Sequence, residues 1–268
     1  MSIKIGLALS GGGGCGFAHV GVLEVLLEHG IKIDLVAGTS MGSIVGGMFA
    51  SSYNLNKMLE IIEGFKKSDV IDFNLFKLIK NGLISGNKLE NYLNEKLEIK
   101  NIEDFKIPFT AVTVDILTGN QVLLNNGSGA FAMRASSAVP AVFAACPYQD
   151  KLLVDGGLVN NLPQDIVKNM GANYVIAVDC LGDYELKSQP KNVINSLMAT
   201  CNIMLTSSMK KTKRHYNTLI KINTLKDGKK VGVANLNKDA IEEAIEMGRK
   251  AARKKINKIL KDLKNLGI

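Results

Sequence analysis

Apolar residues follow two rhythms along this chain. Near its start they come in short unbroken runs, residues 3–9 and then Leu35-Val36-Ala37 within 33–38, each bounded by glycine, as in strands buried on both faces. Between them, residues 17–28 form an apolar stretch of helical length, and a small apolar segment, 43–50, follows Gly42. Strand, glycine loop, helix, strand and helix predict the start of a parallel α/β sheet. The rhythm then changes to three and four. Leu55, Met58, Leu59, Ile62 and Phe65 mark an amphipathic helical region over 51–106, interrupted at 82–87, where Asn87 and Glu90 have capping-box spacing for a helix through Leu97.

Strand-like runs return at Phe109–Asp115 and Gln121–Leu124, joined by a hairpin at Thr118-Gly119-Asn120. Gly127-Ser128-Gly129 leads into a helix that runs through Ala138 and stops near Pro140. Residues 152–155 are a strand ending in an acid and two glycines, Asp155-Gly156-Gly157, and 174–178 is another that ends at Asp179. Beyond Lys187 the chain becomes helical, first over 193–209. After Asp239 one amphipathic helix carries Ile241, Ile245, Ala252, Ile256, Ile259, Leu260 and Leu263 on its apolar side, with Arg253, Lys254, Lys258 and Lys261 opposite. The expected organisation is a core over 1–185 and a mainly helical region, 186–268, packed on the same domain.

Composition narrows the function. A chain of 268 residues, 46% hydrophobic, can bury a sizeable single core. Its net charge of +8 would suit nucleic acid, but aromatics are only 6% and the Lys/Arg excess lies mostly after Lys187, so no nucleic acid is expected. A solvated basic surface, or peripheral contact of the basic C-terminal helix with an anionic membrane, fits better. Cys15, Cys146, Cys180 and Cys201 are far apart, which suggests neither a zinc site nor a disulfide framework, and reduced thiols point to the cytoplasm. The apolar run 5–9 is short for a signal sequence, and no run reaches the roughly 18 residues of a membrane span.

Two glycine-rich turns carry the candidate chemistry. Gly38-Thr39-Ser40-Met41-Gly42 fits G-x-S-x-G between a strand and a helix, a turn that strains the serine backbone and presents its hydroxyl at a helix tip. Alone, it also fits an ordinary turn serine. Gly11, Gly13 and Gly16 satisfy G-x-G-x-x-G, a dinucleotide fingerprint that also requires an acid at the end of the second strand; Asp34 stands instead at its beginning. The same loop could offer successive backbone N–H groups to the oxyanion of a tetrahedral intermediate. A serine nucleophile needs a base. His29 sits at a helix end and His215 in a basic run, and His19 is placed to pack within the first helix, so an aspartate must be considered for that role.

Four blocks resemble, in order and spacing, those of the bacterial patatin-like phospholipase family: Ser10-Gly-Gly-Gly-Gly-Cys-Gly-Phe-Ala-His-Val-Gly-Val-Leu23, Gly38-Thr-Ser-Met-Gly42, Arg134-Ala-Ser-Ser-Ala-Val-Pro140 and Asp155-Gly-Gly157. The similarity spans about residues 3–179. It implies a three-layer α/β fold with a mainly parallel central sheet flanked by helices, and a hydrolase of lipid acyl esters that needs neither metal nor cofactor. Carried over by position, Ser40 is the nucleophile, Asp155 the general base, and the amides of Gly11, Gly12, Gly13 and Gly14 the oxyanion hole. One departure stands at Cys15, where the family usually has Arg or Lys. A catalytically silent regulatory or scaffold protein of the same fold is the alternative, with dinucleotide binding behind it.

Overall fold

Alternate residues of the first two strands face different cores. Leu7, Leu9 and Val36 point into one, and Ala8, Leu35 and Ala37 into the other. Strands apolar on both faces need helices on both sides. The computed structural model describes residues 3–64, 84–182, 189–190, 193–211, 213–222 and 237–268. Its elements begin with β1 (Ile5–Leu9), a 3-10 turn (Gly13–Phe17), α1 (Ala18–Glu28), β2 (Leu35–Thr39), α2 (Met41–Ser52), α3 (Leu55–Glu63), α4 (Asn87–Lys96), β3 (Phe109–Asp115), β4 (Gln121–Leu124) and α5 (Gly129–Ser136). They continue with β5 (Cys146–Tyr148), β6 (Lys151–Asp155), α6 (Gly157–Asn160), α7 (Gln164–Asn169), β7 (Tyr174–Asp179), α8 (Val193–Lys211), β8 (Thr218–Lys221), α9 (Lys238–Arg253) and α10 (Ile256–Asn265). The fold is a three-layer α/β sandwich with a mainly parallel central sheet.

Among the described residues the sheet runs β5-β6-β3-β2-β1-β7-β8, with β4 also paired to β3. β1, β2, β3, β7 and β8 are parallel, and β4, β5 and β6 are antiparallel to their neighbours. One register decides where the site forms. On β3, Val112 pairs with Thr39 of β2 on one edge and Leu123 of β4 on the other, while Thr113 pairs with Asp155 of β6 and Val122 of β4. β2 and β6 therefore share the edge of β3 opposite β4 and meet there head to head. Ser40 follows the last residue of β2, so it emerges where β6 ends.

The C-terminal helices close the side of the sheet that carries α1. α9 crosses α1 at backbone contact: a Cβ at Gly21 would lie 2.0 Å from the Ile245 carbonyl oxygen, and one at Gly248 would lie 1.9 Å from that of Ala18. Arg249 grips Glu24 across the crossing through two contacts, at 2.6 and 3.1 Å. α10 lies at the other end of the sheet from Ser40. Its Asp262 accepts from the Tyr174 hydroxyl and Lys258 donates to Thr218, the first residues of β7 and β8.

Several sequence expectations need correction. The helix forecast after Asp239 is two helices, α9 and α10, and Leu260 is half-exposed while the other stripe residues are buried. Asn87 does not cap α4. Gly86 does, at φ 75 in the left-handed region that favours glycine, with the Arg134 side chain against it; Glu90 faces Arg134 at 3.8 Å instead of closing a capping box. Between Leu97 and Lys106 the only helix is a 3-10 turn, Ile102–Asp104. The first helix is preceded by the 3-10 turn, and β5 and β8 were not anticipated. Phe65 and residues 82–83 lie outside the described residues.

Candidate active site

The serine turn is built from two close approaches. A Cβ at Gly38 would stand 2.3 Å from the Gly42 carbonyl oxygen, and one at Gly42 would stand 2.4 Å from that of Leu9. Only glycine at both positions lets α2 start directly over the ends of β1 and β2. Ser40 between them has φ 54 and ψ −126, a conformation that costs a non-glycine residue on the order of 1–3 kcal/mol. Surrounding bonds hold it there. The Ser40 amide donates to Ser136 Oγ at 3.0 Å, and that hydroxyl donates to the Val112 carbonyl at 2.6 Å, in the gap where β2 gives way to β6. Thr39 Oγ1 donates to the Asn160 carbonyl at 2.9 Å, and Ser43 Oγ to the Ser40 carbonyl at 2.7 Å.

Asp155 is delivered to the same point by β6. Its buried carboxylate accepts a hydrogen bond from the Gly157 amide at 2.8 Å and lies close enough to the Ser40 side chain to feel it. Burial pushes its pKa up to about 6, against the lowering effect of the Ser40 side chain and the Gly157 amide. The structure thus brings Ser40 and Asp155 together.

The glycine loop stands on the strand next to the serine turn. The Gly11 amide is engaged, donating to the Asn161 carbonyl at 3.2 Å. Among the described residues the amides of Gly12, Gly13 and Gly14 donate to no backbone carbonyl outside the 3-10 turn. Gly13 turns the loop at φ 56, where a side chain would be strained. The loop is tied down from behind. Ser10 donates its amide to the Val178 carbonyl at 3.0 Å, its hydroxyl accepts from the Cys180 amide at 2.9 Å, and its carbonyl accepts from His19 Nε2 at 2.7 Å. His19 Nδ1 meets Cys180 Sγ at 3.3 Å, and burial lowers the imidazole pKa to about 4, so the ring is neutral at working pH. Its nitrogens are spent on Ser10 and Cys180. His29 donates to the Val25 carbonyl at 2.8 Å at the end of α1, and His215 lies at the edge of the sheet, where its amide donates to Gln164.

Gly13, Gly14 and Ser40 open onto an apolar pocket of about 90 Å³. Phe17, Ile44, Met48, Ile62, Leu93 and Phe143 line it, so α2, α3 and α4 wall a slot directly beside the serine hydroxyl. Cys15 is buried within the 3-10 turn that continues the loop. Asp34 accepts from the Ile5 amide at 2.9 Å at the start of β1, the wrong end of the sheet for a nucleotide ribose. Among the described residues no group of three or more His, Cys, Asp or Glu side chains is disposed to hold a metal, and no helix is long and apolar enough to cross a membrane. Sequence reasoning missed Ser136 and Ser10 as supports. Their only signal is a hydroxyl in an otherwise apolar or glycine-rich stretch.

Known proteins resemble this chain in sequence and in fold. The patatin-like phospholipase family model matches residues 7–168. The chain is 34% identical over 178 residues to Lysophospholipase NTE1 of Scheffersomyces stipitis, across 65% of this chain and 12% of that protein. It is 34% identical over 181 residues to Neuropathy target esterase sws of Drosophila melanogaster, across 66% and 13%. An uncharacterised NTE family protein of Mycobacterium tuberculosis is 33% identical over 181 residues, across 68% of this chain and 50% of its own. The chain thus spans half or less of the length of these curated relatives. Among solved structures, VipD from Legionella pneumophila shares the fold with a TM-score of 0.62 at 14% identity, over 96% of this chain and 67% of that one.

Proposed function

The chain belongs to the patatin-like phospholipase family, and on that premise we propose that it is a lipid acyl hydrolase working through Ser40 and Asp155. The observation that carries this reading is the approach of the strained Ser40 side chain to a buried carboxylate, beside an apolar slot. Ser40 Oγ attacks the ester carbonyl carbon while its proton passes to Asp155. A carboxylate raised to about 6 is a stronger base than an ordinary aspartate, and such help contributes roughly 10²–10⁴-fold. The charge developing on the carbonyl oxygen falls to the amides of Gly12, Gly13 and Gly14, each donor contributing on the order of 10²–10³-fold. Collapse of the intermediate expels the alcohol, which takes the proton from Asp155. Water then enters, Asp155 removes its proton, and the acyl-Ser40 ester is hydrolysed to the free acid and the starting enzyme.

The pocket favours a fatty acyl chain as the group bound beside Ser40, since its walls are almost wholly apolar. A lipid substrate brings the chain to a lipid surface, and peripheral contact with an anionic membrane is part of the proposal. A fluorophosphonate probe and a chromogenic acyl ester test the chemistry. Wild type labels and turns over, and Ser40→Ala does neither. Turnover that persists in Asp155→Ala and vanishes in His19→Ala would transfer the base to histidine and end this assignment. A silent scaffold of the same fold would show no turnover across ester chain lengths.

A further inference from the structure

α8 is a helix with an unusual surface. Between Val193 and Met209 its sequence contains no charged residue. Ser196, Leu197, Thr200, Ile203 and Met204 are exposed together along one face, with Leu197 at 47%, Ile203 at 55% and Met204 at 44%. On that face Thr200 Oγ1 donates to the Ser196 carbonyl at 3.0 Å, so this hydroxyl can be covered by lipid without stranding its donor.

Its position ties this face to the site. α8 packs chiefly on α6, the turn that follows Asp155, with Leu205 against Gly157 and Ser208 Oγ donating to the Gly157 carbonyl at 3.2 Å. Val159 of α6 is exposed beside it, and Ile116 and Leu117 are exposed just past the end of β3, at the same end of the sheet as Ser40. The apolar face runs in sequence directly into Lys210-Lys211-Thr212-Lys213-Arg214, of which Lys213 and Arg214 are exposed. An apolar helical face with cations at its margin matches the acyl boundary and charged headgroups of a bilayer. α10, basic as it is, stands at the opposite end of the sheet.

We propose that the Leu197, Ile203 and Met204 face of α8 docks on an anionic lipid surface and sets the mouth of the site against it. The lipid substrate rests on the hydrolase reading above; the docking does not need turnover to be measured. The chain contains no tryptophan, so Ile203→Trp and Leu260→Trp each give a single emission signal, on α8 and on α10. Each is mixed with vesicles of pure phosphatidylcholine and of equimolar phosphatidylcholine and phosphatidylglycerol, in the wild-type and Ser40→Ala backgrounds. Emission at position 203 shifts to the blue on the mixed vesicles and that at position 260 does not, with or without Ser40. A double variant, Ile203→Glu with Met204→Glu, binds the mixed vesicles roughly tenfold or more weakly, with melting temperature and soluble-ester turnover unchanged. Three results overturn the proposal: wild type that ignores the mixed vesicles, a blue shift at position 260 alone, or a shift at position 203 that grows with protein concentration without vesicles, which assigns the face to a second copy. Loss of soluble-ester turnover with vesicle binding intact would instead strike the hydrolase reading.

Discussion

The serine turn and the glycine loop are the same supersecondary unit built twice on neighbouring parallel strands, and they solve opposite problems. β2 passes into α2 through one residue, Ser40, held at φ 54. β1 passes into α1 through a loop and a 3-10 turn whose special torsion falls on Gly13. The first exposes a side chain, so a residue with a Cβ must bear the strain, and its neighbours Gly38 and Gly42 only make room. The second exposes backbone amides, so the residues with special geometry carry no side chain at all. Strain therefore concentrates where the chemistry needs a side-chain atom.

Substitutions that exchange the two solutions separate them. The largest effect belongs to Ser40→Ala, expected to lower kcat on the order of 10⁶-fold, whereas Ser40→Gly also relieves the positive φ and raises the melting free energy by about 1 kcal/mol; ester kinetics and thermal unfolding check the pair. Asp155→Asn lowers kcat roughly 10²–10⁴-fold and stabilises the fold. A carboxyl whose folded pKa is raised contributes stability that is complete below its unfolded pKa and is lost as pH rises through about 6. At pH 8 the variant should gain about 1–3 kcal/mol over wild type in denaturant titration, and at pH 3 the gain should vanish. Gly13→Ala strains the loop and moves its amides, lowering kcat about 10²-fold with KM little changed. For wild type, kcat/KM should fall about tenfold per pH unit below pH 6 as Asp155 gains its proton, with a plateau above it and no histidine limb near 7. The smallest effect is that of His19→Gln, which keeps a donor for the Ser10 carbonyl. His19 has a depressed pKa, so wild type loses stability as pH falls from 6.5 toward 4. The variant should lose about 1 kcal/mol less per pH unit in that window, read from melting curves.

The two halves of this comparison were unequally legible in the chain. The serine turn announces itself, because glycines at fixed offsets from a serine after an apolar run have few other uses. The glycine loop admits two readings, and only the position of Asp34 at the start of its strand separates them. The union of Ser40 and Asp155 was not visible in periodicity or spacing. It depends on β6 pairing antiparallel to β3 just beyond the last pair of β2, a long-range register that the sequence carries nowhere locally. β5 and β8 are three and four residues long, too short for alternation to register. The break at Lys254-Lys255 contains good helix formers, so packing, with Ala252 buried on one side and Ile256 on the other, sets it.

The crossing of α1 and α9 bears on how the molecule is made. The helix that anchors the glycine loop has bare backbone at Gly21, and among the described residues α9, which comes far later in the sequence, lies against it. During vectorial synthesis Ser40 and the glycine loop therefore leave the ribosome long before the helix that clamps them. A nascent chain halted before Lys238 carries Ser40, Asp155 and the glycine loop but lacks the clasp, which delays their final packing until α9 has emerged.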